Sequence, residues 1–231
     1  MKEGGKEGSE VMGGLKRFVG PCKRLGEKEE DKTATMLRLF RYEGWEEKVV
    51  AERHADLGLL SFVIGSTPGL EVWNGTHFIP IEKSYNSPCA TLLSGRQLQR
   101  LTNYRYPAGG HRVVSYGKPT NHVPASASPA AEHVGGVGGG EVDAVESNYR
   151  FSIVFVLRAH EPIIVDTDAL TTEITGVWKE KDRIRGITAG EMYAEIRATH
   201  FNINTGLKER DEQRRKVAER KRMEMGVSGA G

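Results

Sequence analysis

The sequence predicts a mainly β protein, a sandwich or barrel followed by helices. Between Thr33 and Leu157, many short segments alternate apolar and polar residues or are continuously apolar, and turn residues separate them. After Pro162 the pattern becomes helical, and residues 207–225 are almost wholly charged. A run of strands followed by helices favours a layered β core with helices at its C-terminal end.

The predicted strands differ in how clearly the sequence pattern indicates them. Residues 34–42 alternate apolar and polar side chains, and residues 69–81 contain Asn74-Gly75, a dipeptide typical of a hairpin turn. Residues 151–157 form the most apolar run, which predicts a buried strand. The remaining strand candidates are residues 48–52, 57–64, 89–93 and 112–116.

Composition divides the chain into three predicted parts. Residues 1–32 are rich in Gly, Lys and Glu, so we expect a flexible segment. Residues 33–165 form the predicted core, in which residues 117–146, rich in Pro, Ala, Ser and Gly, are expected to be a long flexible loop. Residues 166–231 are predicted to be a helical extension, with a capping box formed by Thr188 and Glu191.

Overall composition narrows the class of protein. The 231 residues are 38% hydrophobic and 28% charged, as in a soluble globular domain, and the net charge of +2 does not indicate a nucleic-acid or membrane partner. The sequence contains no apolar run of membrane-spanning length and no signal-peptide core. The two cysteines, Cys22 and Cys89, lie far apart, which favours a reducing compartment. We therefore expect a cytoplasmic protein.

Three residues form a candidate metal site. His54 and Asp56 have the i, i+2 spacing that points two side chains to one side of an extended segment, and His111 follows 57 positions after His54 (111 − 54). Two imidazoles and one carboxylate are the ligand set of non-haem Fe(II) oxygenases, which leaves positions open for a cosubstrate and O₂. A structural zinc site would instead close its coordination shell. The alternative is that His54 and Asp56 are polar loop residues and that His111 is a core histidine. If the His54–Asp56 pattern were the only signal, this alternative would be favoured.

A candidate anion site follows on the predicted buried strand. Arg150 and Ser152 have the same i, i+2 spacing. A buried guanidinium needs an anionic partner, and it can bind a carboxylate through two parallel hydrogen bonds, to which a serine hydroxyl adds a third. A dicarboxylic acid could therefore be the partner. The alternative is a structural salt bridge at the strand end, for instance with Glu71.

The order of these motifs resembles a known family. The stretch from about Leu37 to Leu157 is similar to the catalytic core of 2-oxoglutarate- and Fe(II)-dependent dioxygenases of the isopenicillin N synthase-like superfamily. The matching pieces, in order, are Leu37 to Tyr42, His54-Ala55-Asp56-Leu57-Gly58-Leu59-Leu60, Gly69-Leu70-Glu71-Val72, His111-Arg112-Val113 and Tyr149-Arg150-Phe151-Ser152. Two positions differ from the family pattern: Phe40 stands where an Asn is common, and Arg96 stands where an Asp is usual.

The resemblance implies a fold, a cofactor and a reaction. The implied fold is a double-stranded β-helix (jelly-roll) core with C-terminal helices, in which His54, Asp56 and His111 bind Fe(II). The implied cosubstrate is 2-oxoglutarate, with Arg150 and Ser152 at its far carboxylate and Tyr42 as a further contact. The implied activity is O₂-dependent hydroxylation, desaturation or cyclisation of a small organic molecule, with release of succinate and CO₂. The alternative is a catalytically impaired or truncated relative that acts as a binding or interaction protein.

Overall fold

The computed structural model describes residues 14–21, 28, 33–43, 46–117, 149–200 and 207–227. Within them the strands are β1 (Met36–Glu43), β2 (Glu47–His54), β3 (Leu60–Gly65), β4 (Leu70–Trp73), β5 (Phe78–Ile79), β6 (Thr91–Ser94), β7 (His111–Tyr116), β8 (Tyr149–Leu157), β9 (Ile164–Asp166) and β10 (Arg185–Thr188). The α-helices of this part of the chain are α1 (Arg96–Leu101), α2 (Ala189–Thr199) and α3 (Leu207–Val227). None of the described helices combines the length and apolar character needed to cross a bilayer.

Eight of these strands form two antiparallel sheets. The first sheet has the order β1-β8-β3-β6, and the second has the order β2-β7-β4-β5. Strands β1, β3, β6 and β8 therefore alternate along the chain with strands of the opposite sheet, which is the winding of a double-stranded β-helix. The predicted jelly-roll core with C-terminal helices is confirmed.

The hydrophobic core lies in two places. A small cluster between the sheets contains Val63, Leu70, Leu93 and Val113. A larger cluster lies where α1, α2 and the segments around β9 cover one end of the sheets; it includes Phe18, Leu59, Leu101, Leu170, Trp178, Met192 and Ile196. The space between the sheets is thus only partly filled by apolar side chains, and the remainder is available for a site.

Strand β8 differs from its prediction. Arg150 and Ser152 on its inner face are buried, whereas Phe151, Ile153 and Phe155 are 47%, 44% and 37% exposed. Successive side chains of a strand point to opposite faces, and these three exposed side chains all lie on the outer face of the sheet. The prediction of a strand buried on both faces is therefore wrong, because the continuous apolar run combines a buried and an exposed face.

Both flanks of the predicted core carry ordered structure. Residues 14–18, inside the segment predicted to be flexible, form a 3₁₀ turn, and Phe18 is fully buried. The backbone of Phe18 accepts a hydrogen bond of 2.8 Å from the amide of His160. The loop predicted over residues 117–146 lies, beyond Gly117, outside the described residues.

The predicted helical extension, residues 166–231, contains a strand before its first α-helix. Strand β10 pairs with β9 and leads directly into α2. The predicted capping box at the start of α2 is confirmed: the Thr188 hydroxyl accepts from the Glu191 amide at 3.1 Å, and the Glu191 carboxylate accepts from the Thr188 amide at 2.7 Å. These bonds fix the start of α2, and α2 carries Tyr193 towards the space between the sheets.

Candidate metal centre and anion site

The three predicted metal ligands meet at one end of the second sheet. His54 is the last residue of β2 and His111 is the first residue of β7, and the two are directly paired across the antiparallel strands. Their ring centroids lie 4.3 Å apart. Asp56 follows in the loop before β3, with its carboxylate oxygens 3.9 Å from His54 Nε2 and 4.0 Å from His111 Nε2. One ligand atom from each residue therefore lies within 4.8 Å of the other two.

Backbone carbonyls set the orientation of both imidazoles. His54 Nδ1 lies 2.7 Å from the Glu52 carbonyl, and His111 Nδ1 lies 2.9 Å from the Gly109 carbonyl. A carbonyl oxygen only accepts hydrogen bonds, so each Nδ1 carries the proton and donates. In a neutral ring the lone pair is then on Nε2, which is the atom facing Asp56 in both residues.

The protonation state suits metal binding. Burial lowers the pKa of His54 to about 4, and the neighbouring His111 acts in the same direction, whereas Asp56 has a smaller opposite effect. At neutral pH the His54 ring is therefore neutral. A cation can bind its Nε2 without first displacing a proton.

A cavity of about 250 Å³ between the two sheets joins the metal ligands to the anion site. Arg150 and Ser152 on β8, and Tyr42 on β1, contribute to its walls. The other site residues that line it are His54, Asp56 and His111. The structure thus brings every predicted site residue to one cavity, although they come from different sheets.

Arg150 is almost fully enclosed. Its side chain is 6% exposed; Nη2 donates to Glu82 Oε2 at 3.0 Å, and Nε donates to the Thr67 carbonyl at 3.0 Å. Its Nη1 is buried and has no hydrogen-bond partner among the described residues. Two glycines make room for the guanidinium, since a Cβ on Gly65 or Gly69 would lie 2.5 Å from one of its nitrogens.

Glu82 is the site residue that the sequence did not reveal. It lies in the 3₁₀ turn Ile81–Ser84, and its Oε2 also accepts from the amides of Gly69 and Leu70, each at 2.7 Å. Glu71, the partner suggested for Arg150, binds Arg112 instead at 2.6 Å. Nothing in the residues around Glu82 distinguishes it from an ordinary polar turn residue.

Tyr42 and Ser152 lie beside the guanidinium. Tyr42 is paired in register with Arg150, and its ring centroid is 5.6 Å from Arg150 Cζ. Burial raises the pKa of Tyr42, so its hydroxyl is protonated and can donate. Ser152 Oγ donates to the Ile64 carbonyl at 3.2 Å. Both hydroxyls therefore belong to the wall of the cavity near Arg150.

Comparison with known proteins gives similarity at the level of structure. No protein-family model matches the chain, and no curated protein matches its sequence. Among solved structures, the chain resembles a full-length Neurospora crassa protein in complex with alpha-KG and thymine, with 19% identity and a TM-score of 0.48, covering 72% of this chain and 45% of that one. A protein described as a 2OG-Fe(II) oxygenase family member from Caulobacter crescentus gives 23% identity and a TM-score of 0.48, covering 71% and 45%.

A third similar structure is JOX2 in complex with 2OG, Fe and JA, with 18% identity and a TM-score of 0.43, covering 70% of this chain and 39% of that one. The chain thus spans less than half the length of these proteins. Of these three solved structures, one is described as a 2OG-Fe(II) oxygenase family protein, one contains alpha-KG, and one contains 2OG and Fe.

Proposed function

We propose that this chain is an Fe(II)- and 2-oxoglutarate-dependent dioxygenase that oxidises a small organic molecule. The observation that carries the proposal is the convergence of His54, Asp56 and His111 on one point of an internal cavity. Two imidazoles and one carboxylate, all from one side, leave half of an octahedral coordination sphere open. A structural zinc site would have a fourth protein ligand, and the described residues offer none within this cluster.

The residues around Arg150 fit a dicarboxylate cosubstrate. Arg150 Nη1 is a buried donor that a carboxylate oxygen entering the cavity could satisfy. The protonated hydroxyl of Tyr42 lies on the same wall and can add a second hydrogen bond. Ser152 can add a third when its hydroxyl turns from the Ile64 carbonyl towards the cavity. We assign these three side chains to the far carboxylate of 2-oxoglutarate.

Each part of the chain then has a defined role. When bound, Fe(II) and 2-oxoglutarate together with O₂ supply oxidative decarboxylation to succinate and CO₂ and the oxidising power for hydroxylation, desaturation or cyclisation. His54, Asp56 and His111 hold the metal at one end of the cavity, and the Glu52 and Gly109 carbonyls hold the two rings. Arg150 orients the cosubstrate.

The Arg150–Glu82 ion pair favours a second candidate function. Because Glu82 already neutralises the guanidinium, Arg150 can act as a purely structural residue. The chain would then be a non-catalytic relative that keeps a metal site and acts as a binding or interaction protein. The two candidates differ in whether 2-oxoglutarate binds and is converted.

A metal titration tests the shared part of both candidates. Under anaerobic conditions we expect the protein to bind one Fe(II) or Mn(II), and His54→Ala to weaken that binding by about 100-fold or more. His77→Ala is the matched control, because His77 is exposed in the β4–β5 turn and lies outside the metal cluster. Equal metal affinity of wild type and His54→Ala would overturn the proposal.

Turnover of 2-oxoglutarate separates the two candidates. Iron-loaded wild type is expected to form succinate from 2-oxoglutarate and O₂, and Arg150→Gln to lose 2-oxoglutarate affinity while keeping metal affinity. A protein that binds iron but forms no succinate, with 2-oxoglutarate affinity unchanged in Arg150→Gln, would instead support the binding protein.

A further inference from the structure

A second arginine faces the metal end of the cavity, opposite the end held by Arg150. Arg158 immediately follows β8, eight residues after Arg150 (158 − 150), and lines the same cavity. Gly58, two residues after Asp56, packs against it: a Cβ on Gly58 would lie 3.4 Å from Arg158 Cγ. At about 3.3 Å per residue, the Cα atoms of the two arginines lie roughly 25 Å apart along the strand. The two side chains therefore lie at different ends of the cavity.

Arg158 is held in place by weak partners. Its guanidinium lies over the Tyr193 ring, 4.7 Å from the centroid, and its Nη2 donates to the sulfur of Met36 at 3.8 Å. Its Nε is buried and has no hydrogen-bond partner among the described residues. Arg150 has a carboxylate partner in Glu82, whereas no acidic side chain of the described residues forms an ion pair with Arg158.

A second guanidinium adds positive charge at the same end. Arg38 lies on the inner face of β1 and lines the cavity. Burial lowers the pKa of Arg38, and the charge of Arg158 acts in the same direction, while Asp56 opposes both. Once Asp56 is bound to a metal cation, its charge is shared with that cation. The charges of Arg38 and Arg158 then favour an anionic ligand at the metal end of the cavity.

We propose that the substrate is a small organic acid whose carboxylate is bound by Arg158, with Arg38 adding to the positive field. This inference rests on the proposed function, because it concerns the substrate of the same site. The cavity wall beside Arg158 also includes Met36, Leu57, Val156 and Tyr193. These side chains suit an apolar or aromatic body attached to the carboxylate, so that the body lies near the metal ligands while the carboxylate is held by the arginine.

The test compares a carboxylate with its neutral isostere. Mn(II)-loaded protein saturated with 2-oxoglutarate, kept without O₂, is titrated with phenylacetate and with phenylacetamide. Saturation with 2-oxoglutarate keeps the probes from Arg150, and Mn(II) broadens the NMR lines of a probe bound near it. We expect phenylacetate to bind at least about tenfold more tightly than phenylacetamide and to be broadened by the metal.

Variants assign that preference to a residue. Arg158→Gln should remove the preference for the acid, and Arg158→Lys, which keeps the charge, should retain part of it. Arg197→Gln, on the exposed side of α2, is the matched control and should bind as wild type does. Equal affinity for the two probes, binding of neither, or a preference that survives in Arg158→Gln would each overturn the inference.

Two further measurements keep the two proposals distinguishable. If Arg158→Gln loses 2-oxoglutarate affinity as strongly as Arg150→Gln does, the anion held by Arg158 is the cosubstrate and the inference is wrong. If neither metal nor 2-oxoglutarate binds, the titration is repeated on the metal-free protein. If the metal-free protein prefers phenylacetate and Arg158→Gln removes that preference, the anion site at Arg158 is supported although the proposed function fails. If the metal-free protein shows no such preference, the inference is overturned together with the proposed function.

Discussion

Glu82 binds the Nη2 of Arg150 at 3.0 Å with both side chains less than a tenth exposed. The same carboxylate oxygen accepts from the amides of Gly69 and Leu70. The ion pair therefore ties the 3₁₀ turn Ile81–Ser84 to the start of β4 and to β8, and so links the two sheets at the anion end of the cavity. Arg150 reaches the cavity already neutralised, with one buried donor left to bind a ligand.

Glu82→Gln should destabilise the protein and should increase the stabilisation that the protein gains when it binds an anion. The amide oxygen of glutamine can still accept from the two backbone amides, but the charge of Arg150 loses its partner. Breaking a buried ion pair in this way costs about 3–5 kcal/mol. We expect a loss of that order in urea unfolding at pH 7, and a larger rise in melting temperature on addition of 2-oxoglutarate than in wild type.

Glu46→Gln is the control for this change, because Glu46 forms an exposed ion pair with Lys48. It should leave the unfolding curve nearly unchanged. If Glu82→Gln unfolds at the same midpoint urea concentration as wild type, the Arg150–Glu82 pair does not stabilise the fold.

Gly95→Ala should weaken metal binding although Gly95 is not a ligand. A Cβ at this position would overlap the Gly58 carbonyl oxygen and would lie 3.1 Å from the Asp56 carbonyl oxygen. Because these are backbone atoms, the loop that carries Asp56 must move. We expect Mn(II) affinity to fall about 10–100-fold, as for other changes that disturb ligand orientation.

Gly109→Ala provides the comparison for Gly95→Ala, since Gly109 lies two residues before His111 and a Cβ there has its nearest neighbour at 3.6 Å. Its Mn(II) affinity should equal that of wild type in isothermal titration. Similar affinities for both alanine variants would contradict a role for the close approach of Gly95 to the Asp56 loop.

Gln97→Leu should destabilise the contact between α1 and the residues that follow β8. Gln97 is 1% exposed, and its Oε1 accepts from the Ala159 amide at 3.0 Å. Leucine has a similar size but leaves that buried amide without an acceptor, which costs about 1–3 kcal/mol. Urea unfolding should show the loss, whereas a stability equal to that of wild type would mean that the amide finds another partner.

Thr188→Ala should loosen α2, the helix that carries Tyr193. Removal of an N-cap hydroxyl costs about 1 kcal/mol of unfolding free energy. Hydrogen bonds from the Thr188 amide and hydroxyl lower the pKa of Glu191. The contribution of the Glu191 carboxylate to the free energy of unfolding is therefore fully present at a pH above the usual pKa of a carboxyl group. It is lost as the pH falls through the lowered pKa of Glu191. The difference between wild type and Thr188→Ala should shrink between pH 7 and pH 3, and a difference that grows on acidification would contradict this assignment.

The sequence predicted the strands of the core well because their signal is local. Alternation over residues 34–42 marks β1, and the segment around Asn74-Gly75 becomes the β4–β5 hairpin. Strand β10 was missed because Arg185–Thr188 is short and precedes a strong helix signal. The exposed face of β8 was missed because apolar composition does not reveal which faces of a strand are covered.

Two sequence signals predicted His54, Asp56, His111, Arg150 and Ser152: the i, i+2 spacing within two of the motifs, and the order of all the motifs, which resembles a known family. Their convergence depends on the pairing of β2 with β7 and of β1 with β8, which brings together residues far apart in sequence. No local pattern encodes Glu82 as the partner of Arg150 or Arg158 as a neighbour of the Asp56 loop. Strand pairing and close packing decide those contacts, and through them which charges in the cavity are neutralised and which remain to bind a ligand.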